Sequence, residues 1–444
     1  MTSLNPLRTP LIALLLLLPA GARAERVVTL EQAYALALRN HPSIQLLRER
    51  VRQAEAARYK AWSALKPTFT FQGTYTHFDE EIVVDFSEMM KALGLNIPSE
   101  PTVLQKQDQF GFQAVANLPV FRGPAYPSIG LARKQVRLAE LGEIRSRQDF
   151  LQQVARAYYM VVSQKEVVQA LQNKVTVDLK HLGAAKARFE VGQAPRSTVL
   201  RADLVATQDQ QQLRVQRNNL HVARRQLAIL LGLSGSVEVK RPAEPATVKA
   251  QGGKMIDEAL TVRRDYHASL LSVELAHQAK DTVWWGFAPS LDLTWLYRWT
   301  EAAGFATKKG MWNLMLTLNV PIYDGGIRYA NLRESHAKLR QAEEQRRALA
   351  QEIEASIVKL RGDMDSAEAG VVSARKALEL ARTTASDMEV SFEAGAVTQL
   401  DVLDANQRLL DAELALTAQI FQRDLARLAL THALGKFDPE GGSK

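Results

Sequence analysis

The residues able to do covalent chemistry are not spaced for it. The eight histidines, at positions 41, 77, 181, 221, 267, 277, 336 and 432, form no H-E-x-x-H pair and no ligand cluster. Cysteine is absent, which excludes thiolate nucleophiles, Cys-ligated zinc and iron–sulfur sites. No G-x-S-x-G, P-loop or dinucleotide fingerprint occurs. Asp363 and Asp365 sit in a helical pattern and read as solvent-facing. The expectation is a protein that is not an enzyme, holds no metal or cofactor and cannot drive transport by nucleotide hydrolysis. The polar spacings that carry meaning are conformational. Thr398-Gln-Leu-Asp401 has the form of a capping box, with Asp suited to a helix N-terminus. Gly192 and Gly395 each follow a long helical pattern, as helix-ending glycines do. Five of the six tryptophans, Trp284, Trp285, Trp295, Trp299 and Trp312, gather in a short stretch whose strands alternate apolar and polar residues. Amphipathic rings so placed suit a membrane–water interface.

The elements that must position these residues are doubled. ALALRNHP (35–42) resembles ALTVRRDY (259–266), and NLPVFRG (117–123) matches NVPIYDG (319–325). RFEVGQA (188–194) matches SFEAGAV (391–397), TVLRA (198–202) matches DVLDA (401–405), and LLGL (230–233) is echoed by HALG (432–435). The order is the same in both halves, so two copies of one unit are expected, at 25–233 and 255–435. A linker rich in Gly, Pro and Ser joins them at 234–254, and a tail follows at 436–444. Residues 1–24 read as a signal peptide: Arg8, the apolar run Leu11–Leu18, then Ala22-Arg23-Ala24. Eight apolar residues are too few to span a bilayer, and no cysteine follows to carry a lipid. Without Arg8 and Arg23 the chain keeps 54 basic and 48 acidic residues, a net charge of +6. Spread thinly and lacking a basic block with aromatics, that charge does not suit nucleic acid.

Each half predicts a helix, two strands, a long helix, a glycine turn and a shorter helix. The first helices are expected at 29–63 and 255–286, the shorter ones at 197–232 and 398–435. Thr29 opens the first, with Gln32 completing a capping box. Strands are expected at 68–78, 109–120, 290–299 and 311–320, each with one apolar face. Phe69, Phe71 and Tyr75 share that face in the first; Phe110, Phe112, Ala114, Ala116, Leu118 and Val120 share it in the second. Unbroken helical patterns run from Pro127 to Val191 and from Ile327 to Ala394. In the latter, apolar positions from Ala350 to Phe392 recur at spacings of 3 and 4, the seam of a coiled coil. Such a helix is about 100 Å long. The shorter helices sum in pairs to that length, so two stacked end to end would lie beside each long one.

A mean hydropathy of −0.17 and the lack of any apolar run of 18 residues exclude a polytopic helical membrane protein. They do not exclude a barrel. Four strands cannot close, because a spanning sheet must leave no edge in lipid and barrels need about eight strands or more. Two chains would give eight strands and three would give twelve, the latter with more room for an aqueous lumen. The unequal segments 79–106 and 300–310 would then be extracellular loops.

With these motifs the chain resembles the TolC-like outer-membrane efflux protein family, over residues 27–435. The strand-to-helix joins NLPVFRG and NVPIYDGG, RFEVG (188–192) and SFEAGAVTQLDVLDA (391–405) carry the resemblance. It implies an α+β membrane protein with a long α-helical coiled-coil periplasmic barrel. Four β-strands per chain would contribute to a 12-stranded trimeric transmembrane β-barrel in the outer membrane of a Gram-negative-type cell. The homotrimer would be the exit duct for small molecules or secreted polypeptides, set in outer-membrane lipid. It would work with a periplasmic adaptor and an energised inner-membrane transporter of RND, ABC or MFS type. The resemblance also implies a closed periplasmic tip near Gly192 and Gly395, the turns that would dock the adaptor. A cation-binding ring would come from Asp401 and Asp404, with Thr198 and Arg201 at the matching places of the first repeat. Relatives join the tip through a Tyr and an Arg; Phe392 and Val397 stand there and cannot make those bonds. The alternative from the residues alone is a soluble periplasmic coiled-coil scaffold or adaptor without a transmembrane barrel, or a secreted coiled-coil protein.

Overall fold

A computed structural model describes residues 26–94, 101–242, 252–301 and 308–437. The expected signal peptide, residues 243–251 of the linker and residues 438–444 of the tail lie outside these residues. In chain order the elements are β1 (Arg26–Val28), α1 (Leu30–Asn40), α2 (Pro42–Ser63), β2 (Thr68–His77), β3 (Ile82–Val84), α3 (Ser87–Ala92), β4 (Thr102–Gln105), β5 (Asp108–Arg122), α4 (Ala125–Glu190) and α5 (Arg196–Leu230). They continue as β6 (Val237–Val239), α6 (Gly252–Val262), α7 (Arg264–Trp284), β7 (Ser290–Thr300), β8 (Gly310–Asn319), α8 (Ile327–Glu393) and α9 (Gln399–Ala433).

The chain divides into two compact units that each draw on both repeats. One takes the described residues of 1–41, 153–246 and 367–425; the other takes those of 42–152, 247–366 and 426–444.

In the first unit, β1 and β6 pair in parallel, Val27 opposite Glu238. Tyr158 of α4 is fully buried and donates its hydroxyl to the Val28 carbonyl at 3.0 Å, which fastens this ribbon to the helix. Thr29 caps α1 as expected: its hydroxyl accepts from the Gln32 amide, and the Gln32 side chain accepts from the Thr29 amide. Leu182 and Ala185 of α4 pack on Ala202 and Ala206 of α5, and these small side chains let the helices approach closely.

The second unit holds the four-stranded sheet, in the order β2-β5-β7-β8 and antiparallel throughout. The register puts the expected apolar sets on one face. Trp299 lies opposite Phe112, Tyr297 opposite Trp312, Trp295 opposite Leu314 and Leu293 opposite both Leu118 and Leu316. Phe71 stacks on Phe112, and Phe112 meets Trp299 in a tilted contact at 5.4 Å, an aromatic ladder across three strands. Val120 departs from expectation. A bulge between Pro119 and Phe121 skips it, and Phe121 takes the place opposite Leu291. Proline cannot donate to the ladder, so the disruption falls where the ladder is already weakest. The core of this unit is helical: Met255 and Ala259 of α6 meet Ile353, Ile357 and Met364 of α8, Leu430 and Ala433 of α9, and Leu434 just beyond it.

The expected first helix of each repeat is two helices. The helix expected at 29–63 breaks at His41, whose ψ of 132° is extended. Pro42 disfavours the helical conformation in the residue before it, so the sequence itself holds that signal. The helix expected at 255–286 breaks at Arg263 without a proline. Here the cause is tertiary. The guanidinium grips both oxygens of Asp265, at 3.0 and 2.6 Å, and donates to the Ala433 carbonyl at the end of α9, at 2.8 Å. The first repeat makes the same kind of join: Asn40 at the end of α1 donates to the Leu231 carbonyl at the end of α5.

The segment 79–106 is not a bare loop. β3 and β4 pair as a small antiparallel ribbon, with α3 between them in sequence.

Candidate functional site

The two glycine turns lie in one unit and are built alike. After α4, the Gly192 amide donates to the Phe189 carbonyl and the Gln193 amide to the Arg188 carbonyl. After α8, the Gly395 amide donates to Phe392 and the Ala396 amide to Ser391. These paired bonds satisfy the last carbonyls of each helix, and they require a left-handed residue at the turn. Gly192 and Gly395 supply it, with φ of 76° and 75°. A side chain added at either would meet nothing within 4 Å, so backbone conformation alone demands glycine there.

Beyond the turns the repeats diverge. α5 begins after Pro195 with no side-chain cap. α9 begins with Thr398, whose amide and hydroxyl both donate to one Asp401 oxygen, at 2.8 and 2.6 Å. Thr398 therefore holds the Asp401 carboxyl below the ordinary carboxylate range, chiefly through its hydroxyl, and the group is ionised at neutral pH. Asp401 is a helix cap and a surface charge at once. Asp404 lies three residues on, also exposed, while Val402, Leu403 and Ala405 between and beside them are buried. α9 thus presents both carboxylates on one outward face. Arg408, one turn further, pairs with Asp404 at 2.9 Å. Thr198 and Arg201, at the matching places of α5, bring no acid, and Arg201 is exposed.

Phe392 does make a bond across the helices, though not a hydrogen bond. The Arg188 guanidinium lies 4.4 Å above its ring, a cation–π contact between the last turns of α4 and α8. Val397 is half-buried and offers no polar group. A second link lies deeper. The Asn406 amide of α9 reaches the His181 ring on α4 at 3.3 Å, Gln399 donates to the His181 carbonyl, and Glu389 of α8 stands 3.6 Å from the same ring. Burial holds the His181 imidazole below its ordinary value, opposed by Glu389 and aided by Lys174.

The sheet has a different chemistry. Its apolar face is bare: Phe69 is 71% exposed, Leu314 59% and Trp312 68%, and no element among the described residues covers them. Its opposite face carries threonines, glutamines and Arg298, with Arg122 and Asp292 paired at 2.9 Å. β2 and β8 are edge strands whose outer backbone groups meet no partner strand among the described residues. Trp299 and Trp312 sit toward the loop end of the strands, and Trp284 and Trp285 precede β7 at the helical end. Trp295 is midway along β7, between these two levels. No helix among the described residues is long and apolar enough to cross a membrane, and no group of three His, Cys, Asp or Glu residues among them is placed to hold a metal ion.

Comparison with known proteins follows the same division. The model of a family described as outer membrane efflux protein matches residues 33–233 and 255–436. The outer membrane protein TolC of Vibrio cholerae serotype O1 is 24% identical over 373 residues, covering 77% of this chain and 80% of that protein. Among solved structures, the outer membrane protein VceC of Vibrio cholerae aligns with a TM-score of 0.73 at 18% identity, covering 91% of this chain and 96% of that one. A membrane protein from Pseudomonas aeruginosa aligns with a TM-score of 0.76 at 18% identity, covering 94% and 93%.

Proposed function

This chain belongs to the outer membrane efflux protein family, and we propose that its two glycine turns and the start of α9 form the periplasmic constriction of the duct. The chain is an outer-membrane exit duct for efflux, with its helical part in the periplasm, and it is not an enzyme. It works as a homotrimer with a periplasmic adaptor and an inner-membrane transporter. The bare sheet carries the membrane assignment for this chain. One four-stranded sheet leaves two open edges, which lipid does not tolerate; three copies joined edge to edge give a closed barrel of twelve strands. The apolar face then meets lipid and the threonine–glutamine face lines water. Trp299 and Trp312 mark one interface and Trp284 and Trp285 the other, with Trp295 in the apolar band between.

At the start of α9, Asp401 and Asp404 on one exposed face carry the reading of a cation ring. Three copies set six carboxylates around one axis, a lining that favours cations. Arg408 moderates it, leaving a net of one negative charge per chain from these three groups. The turns at Gly192 and Gly395 offer the adaptor a surface of defined shape rather than a chemical site. Single-channel recording in planar bilayers tests the proposal. The purified trimer is expected to conduct with a preference for cations, and Asp404→Ala to weaken that preference. A folded trimer that does not conduct, or variants of unchanged selectivity, would overturn it. Release of the protein in the soluble periplasmic fraction would instead favour a scaffold.

A further inference from the structure

Between α4 and α5, inside the first unit, lies a polar layer that the duct does not use. Lys174 and Asp178 of α4 and Asp209 of α5 are 6%, 1% and 7% exposed. The Lys174 ammonium donates to Asp178 at 2.6 Å and to Asp209 at 2.9 Å. Two carboxylates share one cation, so the buried layer carries one uncompensated negative charge. The second oxygen of Asp178 is buried and has no hydrogen-bond partner. A buried ionised carboxylate with an empty acceptor is costly and calls for a donor.

The second repeat shows that the fold does not require this layer. The alignment that sets Gly192 on Gly395 places Ala377, Ala381 and Ala412 at the three corresponding positions. Helices of 67 and 35 residues, against 66 and 35 in the first repeat, and the same turn form there with alanine at all three places. The ionic layer is thus a feature of α4 and α5 alone, where it lies about 18 Å along α4 from the end of the helix.

We infer that Asp178 and Asp209 form a proton-binding site, in which a single shared proton neutralises the layer and ties α4 to α5. The proton would sit on Asp178, donate from its unpartnered oxygen to Asp209 and leave Lys174 bonded to both. The titratable groups around it are Lys174 and His181 on α4 and Asp209 on α5, with Glu389 of α8 beyond His181. Burial, then the neighbouring Asp209, pushes the Asp178 carboxyl up to about 6, against Lys174. His181 is held below its ordinary value, chiefly by burial. The sign follows from linkage. A carboxyl raised in the folded state adds stability that is full below the ordinary value of 3.8 and is lost as pH rises through about 6. The α4–α5 pair would be tighter in acid than at neutral pH, and the periplasmic position of the helices exposes it to changes in the surroundings.

Infrared difference spectroscopy of the purified trimer, titrated between about pH 5 and about pH 8, reads the acid itself, so His181 cannot imitate it. A protonated-carboxyl band is expected to grow as pH falls through about 6. Asp178→Asn should abolish it. Asp209→Asn should shift it to lower pH while leaving Asp178 in place, and it serves if the first variant does not assemble. Thermal unfolding of the same proteins gives a second readout. Asp178→Asn mimics the protonated acid, so it should melt a few degrees above wild type near pH 8 and by clearly less near pH 5. A wild-type trimer without the band, a band unchanged in both variants, or equal melting offsets at both pH values would overturn the inference.

Discussion

Arg188 stacks over Phe392 at 4.4 Å, joining the last turn of α4 to the last turn of α8 just before the two glycine turns. The contact pairs one residue from each repeat, and it gives the ends of the long helices a bond that Phe392 cannot make by hydrogen bonding. A cation over an exposed ring contributes about 0.5–1 kcal/mol, and more when it is desolvated. Three copies act around the axis of a trimer.

Removing that contact should loosen the tip. Phe392→Ala is expected to raise the open probability in planar bilayers several-fold, while Phe392→Tyr, which keeps the ring, should behave as wild type. Identical gating in Phe392→Ala would show that the contact does not hold the closed state.

The start of α9 separates two roles of acidic residues. Asp401→Ala removes the acceptor for Thr398 and should cost about 1 kcal/mol of helix stability, besides its effect on selectivity. Asp404→Ala frees Arg408 and should push selectivity toward anions. Arg408→Ala should strengthen cation preference beyond wild type, because it exposes the Asp404 charge. Reversal potentials in asymmetric salt distinguish these outcomes; a null effect of Arg408→Ala would place the pair outside the lumen.

The two faces of β8 should respond oppositely to charge. Leu314 lies on the bare apolar face beside Trp295, and Asn313 on the polar one beside Leu296. Leu314→Lys should cost about 2–4 kcal/mol if it enters the middle of the bilayer, whereas Asn313→Lys should be tolerated. The yield of trimer in the outer membrane measures this. Equal yields would contradict the assignment of the faces.

Arg263 joins α6 to α9 from a buried position, so Arg263→Met should destabilise the fold by about 3 kcal/mol at neutral pH. Burial alone would raise the Asp265 carboxyl, but hydrogen bonds and charge from Arg263 hold it below its ordinary value of 3.8. Such a group gives stability that is present above that value and lost as pH falls through the lowered one. The gap between wild type and Arg263→Met should therefore narrow below about pH 4. Denaturant titrations at several pH values would show it; a constant gap would mean that Asp265 does not report on Arg263.

Much of this architecture was legible because its signals are local and repeated. The period of two placed all four strands within a residue or two, since a strand with one face to lipid and one to water must alternate. The spacing of 3 and 4 from Ala350 to Phe392 marks positions that are all buried or half-buried in α8. Thr398 and Asp401 were legible as a cap because the bond spans three residues. Arg408 was within reach by the same reasoning, four residues from Asp404. Arg188 was not: its partner lies in the other repeat, 204 residues away, and no periodicity links an arginine to a ring. The break at Arg263 was hidden for the same reason, whereas Pro42 announced the break at His41.

The sequence by itself determined the amphipathic strands, the long helices, the glycine turns and, through its motifs, the family. These follow from hydrophobic period and from conformations that only certain residues adopt. The tertiary structure alone decided which side chains meet across helices: Arg188 on Phe392, Arg263 on Ala433, and Lys174 between Asp178 and Asp209. Such meetings depend on the rotation and axial offset of one helix against another. Packing of the whole seam sets both, and the order of residues in either helix does not encode them.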